Sequence, residues 1–186
     1  MPIEDSRERK KQQMLECCLE LFVKQGLENT SLNDLTAYCK TYKAAFYNYF
    51  DSKDDIVIEC AKLYMDELKY KLQKELHRPP KTLNDALKIG FELFKRDKKF
   101  LRYIYQVISS PKYGETCRMQ LTEIYTQYTD LSHTLADTYN VNHELLRPYY
   151  LLYVGTIHDY CLWENEKLVE EKLAYIYRRI DEIEAA

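Results

Sequence analysis

Apolar residues recur every three or four positions along most of the chain, which is the spacing of one buried face of an α-helix. In the first such segment Leu15, Cys18, Leu19 and Phe22 form the stripe, and Gly26 follows as a helix stop. With only 4 Gly and 5 Pro in 186 residues, and few β-branched runs, the composition also favours helices. The sequence therefore predicts an all-α protein.

The same pattern divides the chain into about nine helices, short ones first and longer ones afterwards. Several of the predicted breaks coincide with Gly, Pro or Asn residues. The predicted helices span about 6–25, two short segments within 32–50, and then about 52–76, 82–95, 98–108, 115–139, 143–164 and 167–184.

The two short helices within 32–50 are joined by a tight turn at Lys40–Tyr42. A short helix, a tight turn and a second short helix is the geometry that places one helix in the DNA major groove. The second helix carries Lys43, Tyr47 and Asn48, which offer charge, hydrogen-bond donors and flat rings to phosphates and base edges. The apolar positions of the two short helices are Leu32, Leu35 and Cys39 in the first and Ala45, Phe46 and Phe50 in the second.

Residues around these helices follow an order found in one bacterial family. They are Phe22, Gly26 and Thr30, followed by Tyr47, Tyr49, Phe50, Ser52, Lys53 and Asp54. In this spacing, the segment from about residue 10 to 60 resembles the DNA-binding domain of the tetracycline-repressor (TetR) family. The resemblance implies an N-terminal three-helix helix-turn-helix domain, residues 1–51 with the motif at 32–51. It also implies a C-terminal helical ligand-binding and dimerisation domain, residues 52–186.

The turn departs from the family pattern, because Lys40-Thr41-Tyr42 stands where the family has Gly-Val-Ser. Two interpretations remain open. Lys40 adopts a positive φ, at a cost of about 1 kcal/mol for a residue with a Cβ. Alternatively, the turn is rebuilt and Thr41 caps the second helix.

We expect DNA contacts along this motif, with polar groups at phosphates and the second helix at base edges. The predicted set is Thr30, Tyr49 and Lys53 at phosphates, Tyr42, Lys43 and Tyr47 at the major groove, and Ser31, Lys40, Thr41, Ala45 and Asn48 beside them. The net charge of −3 neither supports nor excludes DNA binding, because counterion release depends on the phosphates contacted and not on total charge.

Tyrosine is abundant, with 18 in the chain, and many lie in the C-terminal part. A tyrosine combines a large apolar face with a hydroxyl, which suits a pocket that must hold and orient a ligand. The alternative to a ligand pocket is a bias in composition, in which this protein has Tyr at core positions where other proteins have Phe or Leu. The resemblance implies a pocket within this domain. The predicted lining is Tyr103, Tyr125, Tyr128, Tyr149, Tyr153 and His158.

The last two predicted helices have broad apolar faces. One interpretation places these faces in the core of a single chain. The resemblance instead implies a homodimer interface formed by these helices and their symmetry mates, which also fits the need for two recognition helices one DNA turn apart. The predicted interface residues are Leu152, Ile157, Leu173, Ile176, Tyr177 and Ile180.

Other chemistry finds little support in the sequence. The 6 Cys show no metal-ligand spacing, and no Gly-rich phosphate loop or catalytic motif occurs, so we expect no metal, no cofactor and no enzymatic activity. The charged N-terminus is unlike a secretion signal, and no apolar run reaches the roughly 20 residues of a membrane span, which together predict a cytoplasmic protein with reduced thiols.

The sequence is best interpreted as a DNA-binding transcriptional regulator that responds to a small-molecule effector of unknown identity. Similar proteins are most often repressors released from double-stranded operator DNA by that effector. One alternative is a helical interaction or scaffold protein that keeps the fold without binding DNA. A helical enzyme is a further alternative, since acid–base residues need not be close in sequence.

Overall fold

The computed structural model describes residues 2–78 and 80–185, without the side chains at positions 2–5, 76, 124, 125 and 127–129. Within that part all regular structure is α-helical, which confirms the all-α prediction. The helices are α1 (Pro2–Gln25), α2 (Leu32–Tyr38), α3 (Lys43–Tyr47), α4 (Lys53–Leu76), α5 (Leu83–Arg96), α6 (Lys98–Ser109), α7 (Gly114–Thr129), α8 (Leu131–Tyr139), α9 (His143–Trp163) and α10 (Glu166–Glu184).

The predicted single helix over 115–139 is wrong, because α7 ends at Thr129 and α8 begins at Leu131. Asp130 separates them with φ −86° and ψ 1°, a conformation that interrupts the helical hydrogen-bond ladder. Aspartate is a weak helix former that favours cap positions, so the interruption falls at the least helical residue of this stretch. The predicted stops at Gly26 and Asn140 are confirmed, with φ of 90° and 53° respectively.

The chain forms two compact units. Unit 1 runs from the first helix to Glu67 and also includes Arg102–Thr122, whereas unit 2 contains Leu68–Leu101 and the chain from Glu123 onward. These units do not follow the predicted division at residues 51 and 52, because α4, α6 and α7 each contribute to both. The functional division into residues 1–51 and 52–186 therefore stays a prediction.

Unit 1 is held together by contacts that α6, and the turn between α6 and α7, make with α1 and α4. The Tyr103 ring stacks on Phe22 with 5.8 Å between centroids. Its hydroxyl donates to the Val57 carbonyl oxygen at 2.8 Å. Near the start of α4, Asp54 accepts hydrogen bonds from Lys112 at 2.7 Å and from Tyr113 at 3.1 Å. The helices that flank the predicted motif are thus fixed to α6 and to the turn between α6 and α7 by buried and surface contacts.

Unit 2 has its own core, in which α9 packs against α10, α5 and α8. The Tyr153 hydroxyl donates to the Leu87 carbonyl at 2.7 Å, and Asn84 donates to the Tyr177 carbonyl at 2.8 Å. These bonds connect α5 with α9 and α10, and they satisfy polar groups that burial would otherwise leave unpaired.

The core of unit 2 corrects most of the predicted dimer interface. Ile176 and Ile180 are 0% exposed within the single chain, because α10 turns this stripe toward its own neighbours. A side chain that is already enclosed by its own chain has no surface left for a partner. The buried members of the predicted set are Ile157, Leu173, Ile176 and Ile180, whereas Tyr177 is half-buried and Leu152 is exposed.

Candidate DNA-binding surface

The helix-turn-helix begins with a capping box at α2. The Ser31 hydroxyl accepts a hydrogen bond from the Asp34 amide, and the Asp34 carboxylate accepts one from the Ser31 amide at 2.7 Å. Hydrogen bonds from the Ser31 side chain and then its backbone hold the pKa of Asp34 below its usual range. Ser31 is exposed beside this cap, where the predicted set placed it.

Thr30, the preceding residue, corrects one predicted contact. Its side chain is 1% exposed, and its hydroxyl donates to the Gly26 carbonyl at 2.7 Å. The hydroxyl closes the loop between α1 and α2 and has no surface through which to reach a phosphate. Thr30 is therefore a structural residue of this loop, and the phosphate contact predicted for it is wrong in this conformation.

The turn between α2 and α3 decides between the two interpretations of Lys40. Lys40 has φ 50°, so it occupies the left-handed region that favours glycine. The Thr41 amide donates to the Thr36 carbonyl at 2.9 Å, closing the turn as a glycine would. Tyr42 is the N-cap of α3 and makes no side-chain cap bond. The strained turn is confirmed, and the rebuilt turn with Thr41 as cap is wrong.

Helix α3 presents its polar and aromatic side chains outward. Phe46 and Phe50 are buried, with 5.9 Å between their ring centroids, and fix the inner side of the helix. Tyr42 is 72% exposed and Tyr47 57% exposed, so both rings are accessible from solvent. The predicted residues that are exposed are Lys40, Tyr42, Lys43, Tyr47 and Asn48, whereas Thr41 and Ala45 are half-buried.

The N-terminal part of α1 reaches the far end of α3. Arg7 donates to the Asn48 carbonyl oxygen at 3.0 Å, and its guanidinium lies 5.8 Å from the centre of the Tyr49 ring. Asn48 is the C-cap of α3, so its carbonyl accepts a bond that the helix itself does not supply. The separation of 41 positions between Arg7 and Asn48 hides this contact from any local pattern.

Tyr49 and Lys53, two of the predicted phosphate contacts, are half-buried. The Lys53 ammonium donates to the Leu27 carbonyl at 3.1 Å, so it ties the start of α4 to the loop after α1. An ammonium has three donors, and the remaining ones are still able to contact a phosphate. Lys53 therefore combines a structural bond with a charge close to the motif.

The predicted effector residues are not brought together in one place. Tyr103 is buried in the core of unit 1, so its role at an effector pocket stays a prediction. Tyr153 lines a small cavity in unit 2 together with Tyr150, which the prediction had left out. Tyr149 accepts a hydrogen bond from Arg179 at 3.0 Å and does not line that cavity.

Three effector candidates remain. The side chains of Tyr125 and Tyr128 lie outside the described residues. His158 is half-buried and is not among the residues that line the cavity. Burial lowers the pKa of His158, while the carboxylate of Asp159 acts in the opposite direction.

The cysteines of the described residues are all free thiols. The Cys18 and Cys39 sulfur atoms lie 3.8 Å apart between α1 and the end of α2. Burial raises the pKa of Cys17 beside them to about 12, so its thiol stays protonated at neutral pH. In the described part of the chain no cluster of three or more His, Cys, Asp or Glu side chains is placed to hold a metal ion. Among the same residues no helix has the length and apolar character of a membrane span.

Comparison with known proteins identifies the motif. Residues 15–60 match the family model described as bacterial regulatory proteins, tetR family. The chain is 28% identical over 121 residues to YuxN of Bacillus subtilis, an uncharacterised HTH-type transcriptional regulator, and the match covers 65% of this chain and 37% of YuxN. The chain thus spans little more than a third of the length of that relative.

Two further proteins extend the comparison beyond the motif. The chain is 24% identical to IcaR of Staphylococcus aureus, a negative transcriptional regulator of the biofilm operon icaADBC, over 68% of this chain and 65% of IcaR. The solved structure of FadR of Bacillus subtilis with stearoyl-CoA superposes with a TM-score of 0.65 at 14% identity, covering 90% of this chain and 98% of FadR. Residues 15–60 therefore match the tetR family of bacterial regulatory proteins, and the helical arrangement of the described residues is similar to that of FadR.

Proposed function

We propose that this protein is a transcriptional regulator that binds double-stranded operator DNA through α2 and α3. The observation that carries the proposal is the outward face of α3 and its turn, where Tyr42, Lys43 and Tyr47 are exposed. Flat rings and a cation on a short exposed helix match the chemistry of base edges and phosphates. Arg7, Tyr49 and Lys53 extend this surface toward the flanking phosphates.

Repression is the mode we propose. IcaR is a negative regulator, and it is similar to this chain over most of both sequences. A repressor needs no contact with the transcription machinery beyond occupying the operator, so a DNA-binding unit with a controllable shape is sufficient. Operator binding also implies that the protein acts in the cytoplasm.

Release of DNA by a small-molecule effector is the second part of the proposal. FadR was solved with a bound ligand, stearoyl-CoA. In this chain α4 begins in unit 1 next to the motif and ends with Leu72 and Glu75 at the cavity of unit 2. A ligand that enlarges the cavity and binds the displaced form of α4 more tightly shifts the population away from the DNA-binding form.

A homodimer completes the proposal, because operator half-sites one DNA turn apart need two recognition helices. The exposed side of α9 and α10 supplies a surface for a second copy of this chain. Gly155 lies on it with open space around its Cα, so another helix backbone can approach closely. The large apolar side chains exposed on these helices are Leu145, Leu151, Leu152, Leu162, Trp163, Leu168 and Tyr175.

The competing function is a helical interaction protein that has lost DNA binding. It predicts that the exposed groups of α3 contact a protein, so their removal leaves DNA affinity unchanged. The strained turn at Lys40 is compatible with both functions. A direct measurement of DNA binding separates them.

The test uses the full chain and duplexes selected by it from a random library, together with the DNA upstream of its own gene. Lys43→Ala and Tyr47→Ala should each weaken binding of the selected duplex at least about tenfold at a stated salt concentration, as loss of a base or phosphate contact does. Lys81→Ala and Tyr70→Ala are matched controls, because both are exposed residues of unit 2 and should leave DNA affinity unchanged.

Circular dichroism of each variant must show that the helices are retained. A library from which no duplex is enriched would overturn the proposed function. Equal affinities for the Lys43 and Tyr47 variants and the unchanged protein would overturn the assigned contacts.

A further inference from the structure

Unit 2 contains a cavity of about 30 Å³ between α5, α8, α9 and the last turn of α4. A buried water needs roughly 10–15 Å³, so the cavity has room for about two waters. An effector larger than this must displace lining side chains as it enters.

The walls of the cavity are almost entirely apolar, with Leu72, Leu93 and Phe94 among them. The Tyr153 hydroxyl is already bonded to the Leu87 carbonyl. Gly90 lets it lie there, since a Cβ at Gly90 would come within 2.9 Å of that hydroxyl oxygen. Ligand recognition inside the cavity therefore depends on shape and on the few charges near it.

Glu75 is the charged residue of the lining, and none of the lining residues that the structure describes is Lys, Arg or His. Glu75 is both exposed and part of the lining, so it lies at the solvent-facing side of the cavity. Lys71, one helical turn earlier, is paired with Asp97 at 2.9 Å. That ammonium is engaged by another carboxylate.

A second carboxylate acts on the same cavity from α8. Burial, and then the charge of Asp130, raises the pKa of the Tyr150 hydroxyl, which lines the cavity. The charged side chain of the described lining is thus an acid, Glu75, and a second acid, Asp130, acts on the Tyr150 hydroxyl in the cavity wall. An anion that enters loses hydration and gains no cation, which is costly in an apolar site.

We infer that this cavity accepts an apolar ligand with a positive charge or none, and excludes apolar anions such as fatty carboxylates. The inference rests on the proposed effector function and specifies the chemical class of the effector. An amine at the cavity edge keeps partial hydration and faces the Glu75 carboxylate, while its hydrocarbon part displaces the lining. The same position repels a carboxylate.

Three probes with one hydrocarbon chain and different head groups test the inference: octylamine, 1-octanol and octanoate. Calorimetry with the full chain at neutral pH and low salt should rank them in that order, with octylamine about tenfold tighter than octanoate. One exposed ion pair changes affinity by up to about fivefold, and here attraction of the amine and repulsion of the carboxylate add. Glu75→Gln should reduce the preference for octylamine over octanol, because Asp130 is the acid that then remains, and should leave the affinity for octanol unchanged. Glu170→Gln, an exposed glutamate of α10, is the matched control and should change none of them.

Gly90→Ala locates the site, because the added methyl group crowds the Tyr153 hydroxyl and should weaken all three probes together. Octanoate binding as tightly as octylamine would overturn the inference, and so would failure of all three probes to bind. The proposed function is judged separately, by whether a bound probe releases the selected DNA duplex. If the probes bind in the expected order but none releases the DNA duplex, only the effector function is contradicted. If octanoate releases the duplex, only the inferred charge of the effector is contradicted.

Discussion

The guanidinium of Arg7 donates to the main-chain oxygen of Asn48 at 3.0 Å, which joins the first helix of the protein to the end of the recognition helix. The same guanidinium lies over the Tyr49 ring. Both contacts are made with residues at the end of α3, where the chain turns toward α4. Arg7 is thereby placed to orient α3 as well as to carry charge near DNA.

Arg7→Ala should weaken binding of the selected duplex by about tenfold, since both the orientation of α3 and a positive charge are lost. Arg7→Lys separates the two contributions, because a lysine keeps the charge but lacks the planar fork that bonds to Asn48 and stacks on Tyr49. Fluorescence anisotropy over a range of salt concentrations measures both. If Arg7→Lys binds as tightly as the unchanged protein, orientation by Arg7 is refuted and charge alone remains.

Lys40→Gly should stabilise the protein by about 1 kcal/mol, because glycine adopts a positive φ without the steric cost of a Cβ. The same change removes an exposed cation and should weaken DNA binding by a few fold. For this variant the free energy of unfolding, measured with denaturant, should therefore rise, while the DNA affinity, measured by titration, should fall. Lys40→Asn, which also tolerates this conformation, is the control for lost charge without glycine flexibility. Lower stability of Lys40→Gly would contradict the strained turn.

Tyr103→Phe should lower the free energy of unfolding by about 1 kcal/mol, the usual contribution of one intramolecular hydrogen bond. The change removes the donor to the Val57 carbonyl and keeps the ring on Phe22. Affinity for octylamine and octanol should not change, because Tyr103 lies in unit 1. A selective loss of ligand affinity would support the pocket role that the sequence had suggested for Tyr103.

The positions of helices and of the motif could be predicted because they depend on local pattern. Gly26, Asn140 and the strained Lys40 are determined by residues next to them in sequence. The break at Asp130 was missed, since a polar residue in a helical pattern is also compatible with an exposed position. Local propensity alone does not distinguish these two cases.

What covers an apolar face could not be predicted. Helical periodicity identifies the stripe of Ile176 and Ile180, but it contains no information on whether the partner is the same chain or another copy. Tyr103 and Arg7 show the same limit, because their partners Val57 and Asn48 are 46 and 41 positions away. Contacts at such separations follow from the packing of whole helices.

His158 gives the protein a pH-dependent stability. Burial lowers its pKa in the folded state, so between the folded and the unfolded pKa the unfolded chain binds more protons. Stability is therefore highest above the unfolded value of about 6.5 and falls as pH decreases through the folded pKa. His158→Gln should flatten this part of the curve. Urea unfolding of the unchanged protein and of the His158→Gln variant at several pH values isolates the contribution of His158 to stability, since His133 and His143 are present in each. Parallel curves would show that His158 does not titrate differently on folding.

The last prediction separates the core of unit 2 from its outer surface by placing the same charge on each. Ile176→Glu puts a carboxylate where the side chain is 0% exposed, so it should cost several kcal/mol, roughly the penalty of an unpaired buried charge. The expected result is loss of helicity and of folding. Leu152→Glu places the carboxylate on a side chain that is 37% exposed, so the chain should stay folded.

If α9 forms part of the homodimer interface, Leu152→Glu should give folded monomers in analytical ultracentrifugation at micromolar concentration. Met119→Glu is the matched control, because Met119 is exposed on α7 in unit 1 and the same charge there should leave the dimer intact. A Leu152→Glu protein that remains dimeric would exclude this position from the interface. A folded Ile176→Glu protein would contradict the enclosure of this side chain in the core of unit 2.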